Sequence, residues 1–355
     1  MRTTAFVIMI IFSMIGSACG AGTSTPSSQP GVPQNLRVLV HDSFAINATL
    51  VEGFEKAQNV KLEFIKAGDA GSVLNKALLT KDNPLADVIY GFDNALLSRA
   101  LENDLLEGYT PGALADIPLQ YQMDKTNRAI PVDFGDVCIN YDKSYFLDHK
   151  LTIPQSLDDL LKPEYQGLLV MENPTTSSPG LAFLLATIAK YGTENYIDYW
   201  TKLKANGLVV VNDWETAYYT NFSASSGKGP QPMVVSYGTS PAAEVVFAST
   251  PIDISPTASL TGDDMCFRQV EFIGILKGTI KRDLAEKFID FMLSIPVQED
   301  IPLQMFVFPA NSKAALPDVF VKNIQIPGKP ATMEIDEINQ NREKWLADWT
   351  TAILR

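Results

Sequence analysis

Beyond residue 35 the apolar positions fall into two series, in which compact runs alternate with longer periodic segments. The run over 36–40 (LRVLV) reads as a buried strand, and Ile46, Leu50, Phe54 and Ala57 then recur at helical spacing up to about Asn59. Strands follow over 61–65 and 87–90, each leading into a helical pattern, over 72–79 and 94–103. The second series places strands over 168–171, 208–211 and 233–236, with helices over 179–191, 194–206 and 214–222. Strands that alternate with helices of this length pair in parallel and pack beneath those helices.

Two extended stretches separate the series, 129–141 (AIPVDFGDVCINY) and 265–276. An amphipathic helix over 281–294 carries Leu284, Phe288 and Phe291, and a final helix over 335–354 places Trp345 and Trp349 four residues apart on one face. No short-period repeat is present. Two α/β series joined by two crossings predict a two-lobed α/β protein, each lobe a mixed sheet flanked by helices, with a cleft between. The expected division is lobe 1 over 35–135 plus 268–311, lobe 2 over 136–267, and a helical segment over 312–355 that braces the lobes.

The start of the chain belongs to neither series. Arg2, an apolar run over 5–15 and the small residues Gly16, Ser17 and Ala18 have the layout of a secretory signal over 1–18. The run is too short to span a bilayer, which takes about 20 residues. Ser17-Ala18-Cys19-Gly20 resembles the lipobox of bacterial lipoproteins, apart from Gly16 where Leu is commonest, and predicts lipidation of Cys19. The stretch 19–34 is rich in Gly, Ser, Thr and Pro and reads as a flexible tether. Signal, anchor and tether predict an extracytoplasmic domain held near a membrane without being embedded in it.

Composition narrows the function classes. A net charge of −13 argues against nucleic acid, which requires basic patches, and is congenial to a cationic ligand. Hydrophobic residues at 46% are enough to build ordinary globular cores in the body. With only two histidines, His41 and His149, and no close Cys/His cluster, no metal site is expected. Cys138 and Cys266 are the two cysteines of the body, a pair open to either a disulfide or two buried thiols. No nucleophile–base set and no phosphate loop with a lysine emerges, so neither catalytic residues nor a cofactor are expected. His149 falls in a charged Leu-Asp-His-Lys stretch that reads as a solvated helix end.

Ligands of open α/β sheets sit at the carboxyl ends of the strands, which makes the residues after each strand the informative ones. They are Asp42-Ser43, Gly68-Asp69-Ala70-Gly71-Ser72, Gly91-Phe92-Asp93, Thr176-Ser177-Ser178, Asp213-Trp214 and Tyr237-Gly238-Thr239-Ser240. Hydroxyl residues at helix starts serve as caps or, where their N–H groups stay free, receive anions. Trp214 and Tyr237 serve as core lids or, facing the cleft, as flat surfaces for a cationic heteroaromatic ring. Asp42, Asp69, Asp93 and Asp133 are candidate counter-charges, whereas Asp87 and Asp264 read as surface or capping acids.

These stretches, in this order, resemble the thiamine-binding periplasmic proteins, in the iron/thiamine branch of the two-lobed (type II) solute-binding fold. The resemblance rests on Asp42-Ser43-Phe44-Ala45, Asp69-Ala70-Gly71-Ser72, Gly91-Phe92-Asp93-Asn94, Pro131-Val132-Asp133-Phe134-Gly135, Thr176-Ser177-Ser178-Pro179-Gly180, Trp214-Glu215-Thr216-Ala217-Tyr218 and Ser236-Tyr237-Gly238-Thr239-Ser240-Pro241. It covers about 36–355. It implies an ABC-importer receptor, monomeric, that holds thiamine, thiamine monophosphate or thiamine diphosphate between its lobes and delivers it to permease and ATPase subunits. Asp69 and Ala70 would contact the ligand from the first lobe, Ser177 and Ser178 would meet a phosphate or hydroxyl, and Trp214 would stack. Tyr237, Gly238, Thr239 and Ser240 would line the cleft. The family often has Tyr at His41, an aromatic at Ala243 and Gly at Ala70, so this cleft is less aromatic. The crossings over 133–140 and 266–273 would be hinge strands, with Cys138 and Cys266 on neighbours and a disulfide stapling them. Two alternatives remain: a ferric-ion or small-anion receptor on the same fold, and a secreted thiamine-degrading enzyme with a cleft cysteine.

Overall fold

The computed structural model describes residues 33–225 and 228–355. The signal, Cys19 and the tether up to residue 32 lie outside the described residues. Among the described residues no helix is long and apolar enough to cross a membrane.

The body opens with strand β1 (Gln34–Val40), helix α1 (Ala48–Gln58), β2 (Val60–Lys66), α2 (Ala70–Leu79), β3 (Val88–Asp93), α3 (Leu97–Glu102) and the short β4 (Leu106–Glu107). Local chemistry sets the ends. Asn47 caps α1 by accepting the Thr49 N–H, and Asn59 closes it in the left-handed conformation at φ 49°. β3 runs three residues beyond the expected strand, because Phe92 and Asp93 stay paired with Phe272 and Glu271. Asp93 then turns the chain by accepting the Ala95 N–H, which delays α3 to Leu97. Asp87 is buried rather than a surface acid: it accepts the Arg37 N–H and the Thr279 hydroxyl and pairs with Lys281 at 3.1 Å.

The first crossing is one strand, β5 (Ile130–Asp142), almost wholly buried along its 13 residues. The second series follows: α4 (Lys143–Asp148), β6 (Leu169–Glu172), α5 (Ser178–Tyr191), α6 (Tyr196–Ala205), β7 (Val209–Val211), β8 (Met233–Tyr237), α7 (Ser240–Val246) and β9 (Thr257–Leu260). His149 caps the exposed end of α4. Residues Thr216–Asn221 form a wide π-helical turn instead of a regular helix, started by Asp213 accepting the Thr216 N–H.

The return crossing is β10 (Phe267–Leu276), followed by α8 (Arg282–Met292), α9 (Ile295–Met305), β11 (Phe308–Pro309), α10 (Asp318–Asn323) and α11 (Ile335–Ile353). In α9, which the apolar pattern does not reveal, Pro296 and Pro302 obscure the periodicity; Pro296 sits in the first turn, where its missing N–H costs nothing.

β1 pairs in parallel with β2 and β3, and β6 in parallel with β7 and β8. Between these sets β5 and β10 run antiparallel, Glu271 opposite Asp133 and Arg268 opposite Asp136. The two lobe sheets are thus one continuous sheet, in the order β2-β1-β3-β10-β5-β8-β6-β7. Each half has its own core. Leu36, Val38, Ile89 and Phe288 are central to the first, Phe183, Trp200 and Trp349 to the second. Trp200 meets Trp349 edge to face at 5.6 Å, which seats α11 on the second core. The start of α11 also reaches α3, where the Ser98 hydroxyl donates to Asp336.

Candidate functional site

A cavity of about 490 Å³ opens where the carboxyl ends of the parallel strands from both halves meet. From the first half come His41, Asp42 and Ser43 after β1, Gly68, Asp69 and Ala70 after β2, and Asp93 at the end of β3. The second half contributes Thr176, Ser177, Ser178 and Pro179 after β6, Asp213 and Trp214 after β7, and Tyr237, Thr239 and Ser240 after β8. Gln269 and Glu271 line the floor from β10, and Gln304, Met305, Phe306 and Val307 close one side.

The aromatic wall is held rigidly. Trp214 stacks on Tyr218 with ring centres 4.9 Å apart and meets the edge of Tyr219 at 5.3 Å. Its indole N–H donates to the Ser236 hydroxyl at 2.8 Å, and Ser236 pairs with the Ser240 hydroxyl at 2.9 Å. One face of the indole is therefore covered by Tyr218, and Trp214 is among the residues that line the cavity. Tyr237 lies over Gly135, where an added Cβ would come within 3.3 Å of its ring.

The charged floor is built around Glu271. The Tyr90 hydroxyl donates to Asp133 and also lies 3.1 Å from Glu271, and His41 Nε2 stands 3.4 Å from Glu271, an ion-pair distance without hydrogen-bond alignment. Gly91, at φ +91°, makes room for His41: a Cβ there would lie 2.1 Å from the imidazole. Burial pushes Asp133 well above the usual carboxylate range, and the neighbouring Glu271 charge pushes it further. Burial alone would also raise Glu271, but His41 and the Tyr90 and Asp133 hydrogen bonds outweigh it and hold Glu271 low. Burial alone would lower His41, and the Glu271 carboxylate outweighs it in the opposite sense. Each partner thus favours the charged form of the other, while burial favours the neutral form of Asp133 beneath them. Asp93 is pushed up to about 6, by burial first and then by Glu271, against hydrogen bonds from Gln269 and the Ala95 N–H.

Three expected contacts are not among the cavity-lining residues. Ser72 gives its N–H to the Asp69 cap, which is the ordinary capping role. Asp133 is fully buried beneath Glu271, and Gly238 gives its N–H to the Asp136 carbonyl. Other lining groups are committed internally: Asp42 accepts the Gly68 N–H, and Thr239 donates to the Phe306 carbonyl across the cleft. The hydroxyls of Ser177 and Ser178 have no hydrogen-bond partner among the described residues, although Ser177 stands at the cap of α5. Sequence reasoning missed Gln269, Glu271 and Phe306. The first two lie inside a strand and are two apart, so they share a face; that spacing was the available signal. Cys138 and Cys266 form a disulfide, their Cα atoms 4.3 Å apart, joining β5 to the residue just before β10.

The model of the bacterial extracellular solute-binding protein family matches residues 83–341. The chain belongs to that family. Its relatives include the thiamine-binding periplasmic protein of Brucella suis, 28% identical over the full length of both chains. The thiamine-binding periplasmic protein of Escherichia coli is 29% identical, covering 90% of this chain and 94% of that one. Among solved structures, a periplasmic thiamin binding protein superposes on the solute-binding protein with a TM-score of 0.77 at 28% identity, covering 91% of this chain and 97% of the other. Iron-bound HitA from Pseudomonas aeruginosa superposes with a TM-score of 0.74 at 20% identity, a likeness of fold. The solute-binding protein thus has the two-lobed type II periplasmic-binding fold, with its cleft between the lobes.

Proposed function

We propose that this solute-binding protein is the thiamine receptor of an ABC importer, acting outside the cytoplasm and closing on its ligand by hinge motion of lobes 35–135 plus 268–311 and 136–267. The observation that carries the reading is the presence of the Trp214 indole and the Glu271 carboxylate in the lining of one cleft. A cationic heteroaromatic ring gains from both, by roughly 0.5–2 kcal/mol at a well-placed aromatic face. Ligand contacts from both lobes supply the differential affinity that drives closure. The names of the full-length relatives favour thiamine within this class. Thiamine monophosphate and diphosphate are further proposed ligands, with their phosphate at Ser177 and Ser178.

The protein acts as a monomer anchored through lipidated Cys19, handing its ligand to permease and ATPase subunits without chemistry on it. A ferric-ion reading is not favoured, because Tyr218 turns away from the cleft and donates to Glu244 at 2.7 Å, leaving Tyr219 without its neighbour. A cleft-thiol enzyme is not favoured either, since Cys138 and Cys266 are buried and bonded to each other.

A thermal-melt panel tests the reading. Thiamine is expected to raise Tm, through binding to the folded state alone, while ferric citrate and hexose phosphates leave it unchanged. A rise with ferric citrate and none with thiamine would replace the thiamine reading by the iron one.

A further inference from the structure

A second cavity, of about 630 Å³, adjoins the cleft and shares Asp69, Asp93, Thr176, Ser177 and Ser178 with it. Its far wall is made by α3 and α11, which bring Arg99 and Arg342 to the same space, with Arg355 at the rim. The two guanidiniums are poorly neutralised. Among the described residues Arg99 has no carboxylate partner, and Arg342 reaches only the exposed Glu343, at 2.9 Å. An exposed pair of that kind is worth little. Arg99 is held below its usual value, by burial first and then by the positive charge of Arg342, so the two cations are close enough to repel. Of the acids that line this cavity, Asp69 caps α2, Asp93 is bonded to Gln269 and Ala95, and Glu343 is exposed; among the described residues none of them forms an ion pair with Arg99. In a chain of net charge −13, two half-buried arginines, with Arg355, lining one cavity run against the overall balance.

We infer that this groove is an anion subsite continuous with the cleft, and that it takes the terminal phosphate of a phosphorylated cationic ligand. The inference rests on the thiamine reading above and deepens it. A ring seated between Trp214 and Glu271 sends its tail past the unpartnered hydroxyls of Ser177 and Ser178. A single phosphate ends at those hydroxyls; a second one arrives between Arg99 and Arg342, where guanidinium forks match phosphate oxygens. The cleft holds the cationic end and the groove the anionic end, so the protein selects the diphosphate over the free vitamin.

The test is isothermal titration of the protein with thiamine, thiamine monophosphate, thiamine diphosphate and inorganic pyrophosphate, for the wild type, Arg99→Gln and Arg99→Gln/Arg342→Gln. The wild type should bind the diphosphate at least about ten-fold more tightly than thiamine, the worth of one charge-assisted contact. The double variant should lose that preference while its thiamine affinity stays within about two-fold, which also shows that it folds. The single variant should lie between them. Equal wild-type affinities for thiamine and its diphosphate, or a variant that weakens both alike, would overturn the subsite. Failure of every thiamine form, with pyrophosphate binding that the variants abolish, would reject the vitamin and keep the anion site. Failure of all four ligands would reject both.

Discussion

Glu271 on β10 and Asp133 on β5 are register partners across the two crossing strands, and only Glu271 reaches the cleft. Tyr90 bonds both, and His41 adds a positive neighbour to Glu271 alone. Burial thereby favours a proton on Asp133, while His41 and the hydrogen bonds favour the charged carboxylate of Glu271 in the cleft floor.

Replacing that charge should therefore weaken a cationic ligand without unfolding the protein. Glu271→Gln keeps the shape and the Tyr90 hydrogen bond, and is expected to weaken thiamine binding about ten-fold or more, the range for a hydrogen bond to a charged group. Calorimetric titration checks it; unchanged affinity would remove Glu271 from the site.

The indole of Trp214 should report the ligand directly. Ligand stacking against it is expected to quench tryptophan fluorescence on titration with thiamine, and Trp214→Ala should abolish the signal. A Trp214→Phe variant, which retains a ring, should keep part of the affinity lost in Trp214→Ala.

The order of the elements was legible in the sequence because each buried strand is a compact apolar run and each helix keeps a helical period. Asp69, Ser177 and Trp214 were legible for the same reason: each follows a strand, where α/β ligands bind. Glu271 was not, since it sits inside a largely apolar strand and owes its place to pairing with a strand far away in sequence. Phe306 follows a helix broken in pattern by Pro302 and enters the cleft wall through a left-handed turn at φ 54°. Ser72 was read as a ligand contact, but Asp69 takes its N–H as an ordinary cap. Capping and anion binding use the same residue types, and sequence alone does not separate them.

The Cys138–Cys266 disulfide closes a loop with a sequence separation of 128, ties β5 to the entry of β10, and is not part of the cavity lining. Cys138→Ser/Cys266→Ser is expected to cost about 2–5 kcal/mol of stability, measured by denaturant unfolding. Thiamine affinity should change by less than about two-fold if the staple joins strands that do not move apart on closure.

Glu172 gives the fold a pH signature. Its carboxyl is fully buried without a hydrogen-bond partner among the described residues, and burial, followed by the charge of Asp213, pushes it up to about 8. Folding thus holds a proton that the unfolded chain releases above the ordinary value of 4.5. Stability should fall as pH rises from that value to about 8. Glu172→Gln removes the titration, so its stability relative to wild type should grow with pH, by at most about 1.4 kcal/mol per pH unit. Parallel pH profiles of Tm for the two proteins would contradict this.

The central claim, a thiamine receptor with its ligand between Trp214 and Glu271, is tested most directly by isothermal titration of the purified protein with thiamine, beside Trp214→Ala. One-to-one binding to the wild type, weakened at least about ten-fold in the variant, is the predicted result. A folded wild-type protein that binds neither thiamine nor its phosphates would contradict it, as would thiamine binding that the variant leaves unchanged.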